Sequence, residues 1–269
     1  MAPVNIVYKV AQTRKELEDA LSLVYKEYLR RGYIPKGYKS NIRLSVYNSL
    51  PSTTTFVAKQ GKRVVAGVTL IPDSPLGLPM DKLYKRELDK LRKEGCRVSE
   101  VSQLAIDMSL FGASFFSMFN FNKLIFIFRL FKLVLDHTLD VDRLTDMCIV
   151  INPKHQFLYK FIFFEEMGPL KYYGLVNRAP ALAFRLRLTG LAERAKNRKG
   201  VYRIFFGGKT DPKLFKGKVK LSPKDLKYLF VEKSDIFEKA TKKQLEFIKR
   251  SYRNKAVDRI IDDSKRAPK

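Results

Sequence analysis

One stretch in the second half of this 269-residue chain constrains its fold more than any other. Met147–Ile151 is short and wholly apolar, which predicts a buried strand. His155–Met167 carries apolar residues at helical spacing and predicts a helix with a wide apolar face, ended by a Gly-Pro dipeptide. Tyr172–Leu188 is predicted to be mainly strand, with a turn near Asn177. This order predicts a helix that packs on a sheet.

The preceding residues continue the alternation of strands and helices. Thr13 and Glu16 have the spacing of a capping box, and the helix that they begin is predicted to end at Gly32. The order β-α-β-β-α-β-α-β-α-β predicts an α/β (α+β) fold with a mixed central sheet flanked by helices. The other predicted elements are the strands Val4–Val10, Thr53–Lys59, Val64–Ile71 and Arg97–Ile106 and the helices Met80–Glu94 and Phe121–Leu139.

The apolar run Phe119–Leu135 is long enough to raise the question of a membrane span. Charged residues interrupt it, and Arg129, Lys132 and Asp136 form a narrow polar stripe at helical spacing. A spanning helix needs about 20 predominantly apolar residues, so a mostly buried core helix is the better interpretation. A helix that lies on a membrane surface is the alternative.

The last third of the chain is rich in lysine. Ser222–Phe230 and Ser234–Tyr252 carry helix-start signals and apolar residues at helical spacing. We therefore expect two parts, a sheet-containing domain over residues 1–190 and a basic, mainly helical C-terminal appendage over residues 191–269. Ser264–Lys269 is expected to be frayed.

The formal net charge of +26 restricts the partners. A surface of this sign attracts acidic molecules, and nucleic acid, an anionic lipid surface and an acidic carrier protein all fit. A solvated lysine-rich surface without a specific partner is the alternative. Charge alone does not choose among these.

The two cysteines, Cys96 and Cys148, lie far apart and lack the spacing of a zinc site. The chain begins without a basic segment followed by a long apolar run, so no secretory signal is predicted. We expect a cytoplasmic protein with reduced thiols and no bound metal.

The fourth predicted strand contains a polar motif. Strand alternation predicts that Glu100, Ser102 and Leu104 share one face, and that Gln103 and Ala105 lie on the other. A carboxylate and a hydroxyl group on one face can hold an ammonium group and accept its proton. An ordinary polar position on a half-exposed strand is the alternative.

Two segments together resemble the long-chain N-acyl amino acid synthases, which are GNAT-fold relatives of the acyl-homoserine-lactone synthases. That family has Glu-x-Ser-Arg-Leu on its fourth strand, then Asn-Pro-x-His, a Phe-Tyr helix, Leu-Gly-Phe and a Gly-Ala-Pro-like turn. Gln103 replaces the Arg, and Pro169 replaces the Phe. The resemblance covers residues 4–190 and implies a GNAT-like mixed sheet. The counterparts in this chain are Glu100-x-Ser102-Gln103-Leu104, Asn152-Pro153-Lys154-His155, Phe157, Tyr159, Met167-Gly168 and Arg178-Ala179-Pro180.

The resemblance implies a site on the fourth strand. In the family the fourth and fifth strands splay apart, and the pantetheine arm of the acyl donor lies between them. Freed backbone N–H groups on the fourth strand then polarise the thioester carbonyl. Glu100 is implied as the group that holds the ammonium and accepts its proton, with Ser102 beside it. Gln103, Leu104 and Ala105 are implied as substrate-binding residues.

The replacement at Gln103 changes what this site can bind. Gln carries no charge, so binding of an amino acid's carboxylate at this position is not expected. Arg43 or Arg97 could compensate for the missing cation.

Further candidates lie outside the fourth strand, and most have two interpretations. His155 acts as a base or contacts the donor, or else it caps a helix, and the structural role is favoured. Tyr159 protonates the leaving thiolate or is a core aromatic. Asn152 is favoured as a turn or cap residue over a ligand. Tyr28 and Tyr33 are implied to line the acyl pocket.

The expected donor follows from an absent loop. Acetyl-CoA-dependent GNAT enzymes have an Arg/Gln-x-x-Gly-x-Gly/Ala loop whose backbone N–H groups cradle a pyrophosphate. Asp107–Ser114 contains no such loop. The resemblance therefore favours the acyl-phosphopantetheine of an acyl carrier protein over acyl-CoA, with no bound cofactor. An acidic carrier protein also suits the basic surface.

We therefore predict an N-acyltransferase in which the amine of an amino acid or a similar small amine attacks a long-chain acyl thioester directly. One alternative is an acyl-homoserine-lactone-type synthase. Another is a non-catalytic basic GNAT-fold protein that binds nucleic acid or an anionic membrane. Peripheral membrane contact is possible, whereas nucleic acid is disfavoured because no helix-turn-helix is evident. The oligomeric state is open.

Phenylalanines of the long helix are expected to shape an acyl tunnel or the core: Phe119, Phe121, Phe126, Phe128 and Phe131.

Overall fold

The computed structural model describes residues 6–34, 40–111 and 121–266, without the side chains of residues 111, 121–123, 175 and 266. The sheet has eight strands: β1 (Ile6–Val10), β2 (Thr54–Gln60), β3 (Arg63–Pro72), β4 (Val98–Ile106), β5 (Asp146–Ile151), β6 (Glu165–Glu166), β7 (Lys171–Tyr173) and β8 (Ala179–Arg187). Their spatial order is β1-β2-β3-β4-β5-β8-β6, and β7 also pairs with β8. The β4–β5 pair is parallel and the other pairs are antiparallel.

Ten α-helices are found in the described residues. They are α1 (Arg14–Arg30), α2 (Asp81–Lys93), α3 (Phe121–Asp140), α4 (Gln156–Phe161), α5 (Leu191–Lys196), α6 (Lys199–Phe206), α7 (Pro223–Lys227), α8 (Ile236–Lys239), α9 (Lys242–Tyr252) and α10 (Lys255–Arg266). None of these described helices has the combination of length and apolar character that crossing a membrane requires.

The helices bury both faces of the sheet. On one face α3 packs on the strands through residues such as Leu130 and Val134, together with α5 and α6. On the other face α1 and α2 share a cluster with α7–α10, in which Tyr84 and Phe230 are fully buried. The predicted fold, a mixed sheet flanked by helices with further helices at the C-terminus, is confirmed. A domain boundary at residue 190 stays a prediction.

The helix predicted over His155–Met167 is wrong in its length. A 3-10 turn at Pro153–His155 leads into α4, which ends at Phe161. Phe163 adopts a left-handed φ of 70°, and the chain then forms β6 against β8. Met167 therefore follows a strand, and its N–H donates to Ala183 O. Ile162 and Phe164 lie beyond the end of α4, yet both are buried in the same cluster as Tyr159, so apolar residues at these positions did not require a longer helix.

The C-terminal helices also differ from the prediction. Ser234–Tyr252 is not one helix, because the chain breaks at Ala240 and Thr241 starts α9 with a capping box. Ser264 is not frayed: it is buried within α10, and its hydroxyl donates to Ile261 O. The rest of the segment expected to fray, residues 267–269, lies outside the described residues. The helices α5, α6 and α10 had no counterpart in the sequence prediction.

Candidate active site

The central feature of the site is the separation of β4 from β5. The two strands pair only where Val98–Glu100 meets Asp146–Cys148. β4 continues to Ile106 and β5 to Ile151, yet in the described part of the chain no strand pairs with β4 on this side beyond Glu100. About half of a strand's backbone N–H and C=O groups point toward each neighbour. The separation therefore leaves backbone groups of β4 free to face a ligand.

A β-bulge shapes the open part of β4. Ser102 pairs with Thr69 and Ala105 with Gly67, so two residues of β4 face one residue of β3. Gln103, the first of the two, has a left-handed φ of 55°. Such a backbone conformation costs about 1–2 kcal/mol for a residue other than glycine, so neighbouring contacts must hold it.

The bulge reverses the alternation of side chains. Leu104 packs on the α3 side of the sheet, in the same cluster as Val101. Ala105 packs on α1 against Leu23 and Val24. The prediction that Leu104 shares a face with Glu100 and Ser102 is therefore wrong, because one extra residue shifts every later side chain to the opposite face.

The side chain of Gln103 is hydrogen-bonded within the protein. Its amide nitrogen donates to Arg43 O at 3.0 Å, and its amide oxygen accepts from Asn48 Nδ2 at 2.9 Å. Asn48 Oδ1 in turn accepts from the N–H and the hydroxyl of Ser45. The residue in place of the family's arginine thus tethers the loop around residues 43–48 to the bulge.

Glu100 lies on β4 at the point where the strands separate, and only 3% of it is exposed. Its Oε2 accepts from the Met80 N–H at 2.8 Å. Burial raises the pKa of this carboxyl to about 8, although the Met80 N–H and the Ser102 hydroxyl oppose the shift. No cation is among the described groups that shift this pKa. Glu100 is therefore a weak acid able to hold or release a proton near neutral pH.

Three tyrosines surround Glu100, and two of them were missed by sequence reasoning. Burial raises the pKa of Tyr28, Tyr47 and Tyr173, and the negative charge of Glu100 adds to each shift. The hydroxyl of Tyr173 donates to Pro79 O, and the N–H of the same peptide group, that of Met80, donates to Glu100. Tyr47 and Tyr173 lie far from the motif in sequence, so no local signal indicated them.

An apolar pocket of about 450 Å³ opens between the separated strands. This volume lies in the range of ligand-binding pockets, roughly 300–1,000 Å³. Glu100, Ser102 and the aromatic rings of Tyr28 and Tyr173 line one part. The other part is apolar, with Leu124, Ile127, Phe128 and Phe131 from α3 and Ile149 and Ile151 from β5.

Of the phenylalanines expected to shape a tunnel, Phe128 and Phe131 therefore line this pocket. Phe126 is buried beside Tyr8 and is not part of the lining. Phe119 and the side chain of Phe121 lie outside the described residues.

The structure brings nine of the eleven candidate residues to the pocket. Arg43 and Ala105 are not part of the described lining; Arg43 contributes its backbone carbonyl to Gln103 instead. The lining also includes Arg31, which was not predicted, and its positive charge opposes the raised pKa of Tyr28 and Tyr159. The nine lining candidates are Tyr28, Tyr33, Glu100, Ser102, Gln103, Leu104, Asn152, His155 and Tyr159.

The residues after β5 divide by role. Asn152 caps the 3-10 turn, since its side chain accepts from the Lys154 N–H at 3.2 Å, as the structural interpretation predicts. His155 is exposed and makes no side-chain cap on α4, so its predicted capping role is wrong. Tyr159 is buried between the rings of Phe131 and Phe164, and burial raises the pKa of its hydroxyl.

Comparison with known proteins gives a family. The family model described as "N-acyl amino acid synthase FeeM" matches residues 19–187. The solved structure of FeeM, an N-acyl amino acid synthase from uncultured soil microbes, is 31% identical, with a TM-score of 0.60. The match covers 70% of this chain and 93% of FeeM. This chain belongs to the FeeM family of N-acyl amino acid synthases. Its class of activity is N-acyl transfer.

A more distant solved structure is similar to this FeeM family member in fold. The acyl-homoserine-lactone synthase LasI has a TM-score of 0.51 at 14% identity, over 77% of this chain and 96% of LasI. This likeness shows a shared GNAT-type fold. The curated proteins contain no match to this chain. The family match ends at Arg187, the last residue of β8, so α5–α10 lie beyond it.

Proposed function

We propose that this chain transfers a long-chain fatty acyl group from an acyl carrier protein thioester to the amine of an amino acid or similar small amine. The observation that carries the proposal is the junction of two environments at the open edge of β4. A buried carboxyl group of raised pKa lies beside an apolar pocket that can hold an acyl chain. FeeM, which is similar over most of its length, is an N-acyl amino acid synthase.

In the proposed reaction, the amine nitrogen attacks the thioester carbonyl carbon, so that a C–N bond forms and the C–S bond breaks. Ionised Glu100 accepts the proton that the ammonium group loses. The positive charge of the bound ammonium favours the ionised carboxylate that this step requires. Free backbone N–H groups of β4 stabilise the negative charge on the carbonyl oxygen. The nitrogen loses a second proton as the amide forms, and this proton passes to the leaving thiolate, with the hydroxyl of Tyr159 as our candidate to relay it.

The segment after β4 supports a carrier-bound donor over CoA. Asp107 follows β4 directly, and its Oδ1 accepts from the N–H and the hydroxyl of Ser109 at 3.0 and 2.7 Å. Arg63 pairs with the same carboxylate. An acidic side chain thus already accepts a hydrogen bond from an N–H group in the segment after the fourth strand, where CoA-dependent GNAT enzymes bind pyrophosphate. A carrier protein presents one phosphate and an acidic surface, which suits a chain of net charge +26.

The test is mass spectrometry of organic extracts from cells that express the chain. We expect new N-acyl amino acids or amines with the wild type and their loss with Glu100→Gln. Glu16→Gln is the matched control, because Glu16 is also a buried glutamate but lies outside the pocket lining. Purified protein supplied with matched acyl–carrier protein and acyl-CoA donors then identifies the donor. Absence of any new amide from soluble wild-type protein would refute the proposal.

A further inference from the structure

A second, smaller apolar cavity adjoins the pocket at Phe131. It has a volume of about 20 Å³ and is lined by residues from α3, β5, β8, α5 and α6 and from the turn after α4. Met147, Ala195, Val201 and Phe205 are among the residues that line it. Among the described residues, Phe131 is the single side chain that lines both the pocket and this cavity.

The wall between the two spaces consists of aromatic contacts. Phe131 contacts Tyr159 edge to face, with ring centroids 5.9 Å apart. Tyr159 in turn contacts Phe164, which faces the second cavity. The ring of Phe128, which lines the pocket, contacts the ring of Phe205, which lines the cavity, with ring centroids 5.9 Å apart. Phe131 is 3% exposed and stands at the centre of this wall.

We propose that Phe131 closes the deep end of the acyl pocket and thereby limits the length of the acyl chain that this enzyme accepts. The inference rests on the proposed function and adds a specificity-determining residue to it. Both spaces are apolar, so removing the ring joins them into one channel that continues toward α5 and α6. Each additional methylene that the channel buries is worth about four-fold in binding.

The test compares product spectra from an equimolar mixture of acyl–carrier protein donors of increasing chain length. Phe131→Ala is expected to shift the preferred product to a chain longer by at least two carbons, and Phe131→Leu to shift it less. Leu retains more of the core than Ala, so the second variant covers the case in which the first does not fold. Phe126→Ala is the matched control: it removes the same ring from the same helix at a site that lines neither cavity.

A second substitution that refills the space opened by Phe131→Ala tests whether that space causes the change in product length. Ala195 is fully buried and lines the second cavity but not the pocket. Adding Ala195→Leu to Phe131→Ala is expected to return the preferred length toward that of the wild type. An unchanged spectrum in folded Phe131→Ala and Phe131→Leu, or the same shift in Phe126→Ala, would overturn the proposal.

A binding measurement separates this proposal from the proposed reaction. The melting temperature of the protein is measured with free saturated fatty acids of increasing length. Stabilisation by a bound fatty acid requires the pocket but no acyl transfer. We expect the length of maximal stabilisation to increase in Phe131→Ala relative to wild type. If wild-type protein forms no amide but the length of maximal stabilisation still increases in Phe131→Ala, the proposed reaction is wrong and Phe131 does limit the length of the pocket. If amide forms but Phe131→Ala changes neither the length of the product nor the fatty-acid length of maximal stabilisation, Phe131 does not limit the acyl chain.

Discussion

Two buried glutamates show how differently this fold treats the same side chain. Glu16, at the start of α1, accepts from the Gln12 N–H and from the ammonium groups of Lys59 and Lys9. Burial raises its pKa, but these donors outweigh burial and lower it to about 2. Glu100 accepts from one backbone N–H and has no cation among the described groups that shift its pKa, which burial raises to about 8.

The difference teaches that burial alone does not identify a functional carboxyl group. At Glu16 the surrounding donors stabilise the charged form, so the residue serves as a permanent anion that joins α1 to β1 and β2. At Glu100 the surroundings are apolar and phenolic, and the pocket lies beside it. A carboxyl group that costs stability when ionised is the one positioned to exchange a proton with a ligand.

The largest expected effect is on the reaction. Glu100→Gln keeps the size of the side chain and an acceptor for the Met80 N–H but cannot accept a proton. General-base catalysis typically contributes about 10²–10⁴-fold, so we expect kcat/KM for acyl transfer to fall by that factor. Glu16→Gln, assayed with purified protein and the same donor, should stay within about three-fold of wild type. Equal losses in the two variants would mean that the comparison assigns the wrong role to Glu100.

Stability should respond to pH in opposite directions at the two sites. For Glu16 the folded pKa lies below the unfolded value near 4.5, so its stabilisation is present above that value and is lost as the pH falls toward about 2. For Glu100 the folded pKa lies above it, so stability falls as the pH rises from about 4.5 through about 8.

Each unit of pKa shift is worth about 1.4 kcal/mol, so both effects are measurable by urea unfolding across pH. We expect Glu100→Gln to gain stability relative to wild type above pH 8 and to lose that gain in acid. Glu16→Gln should be less stable than wild type at neutral pH, with a smaller difference in acid. Parallel curves for the three proteins would contradict the assignment.

A smaller effect is expected at the bulge beside Glu100. Gln103→Ala loses the bonds to Arg43 O and Asn48 and keeps a side chain at a left-handed φ. Gln103→Gly loses the same bonds without that strain, so it should unfold at a urea concentration that corresponds to about 1 kcal/mol more stability than Gln103→Ala. Gln60→Ala, at the end of β2, is a control for loss of a glutamine amide. Equal stability of the two Gln103 variants would argue against the strained bulge.

The sequence predicted the pair at the centre of the site because strand alternation applies before the bulge. Glu100 and Ser102 lie two residues apart on a regular part of β4, and the family motif marked them. Leu104 was misplaced because the bulge depends on a tether from Gln103 to a loop more than fifty residues away. Tertiary contacts of this kind have no local sequence signal.

The same reasoning explains the errors after β5. The apolar residues Phe161–Phe164 extended the predicted helix, but pairing of β6 with β8 and a left-handed Phe163 end α4 early. Phe131 was named as one of several phenylalanines of a long apolar helix. Its place between two cavities depends on α5 and α6, which the sequence prediction missed.

A carbon-13 NMR titration of the glutamate side-chain carboxyls tests the central contrast most directly. Signals for Glu16 and Glu100 are assigned by their absence from Glu16→Gln and Glu100→Gln. The account predicts that the Glu16 signal titrates near pH 2 and the Glu100 signal near pH 8 in the ligand-free protein. A Glu100 signal that titrates near 4.5, as an exposed glutamate does, would contradict it.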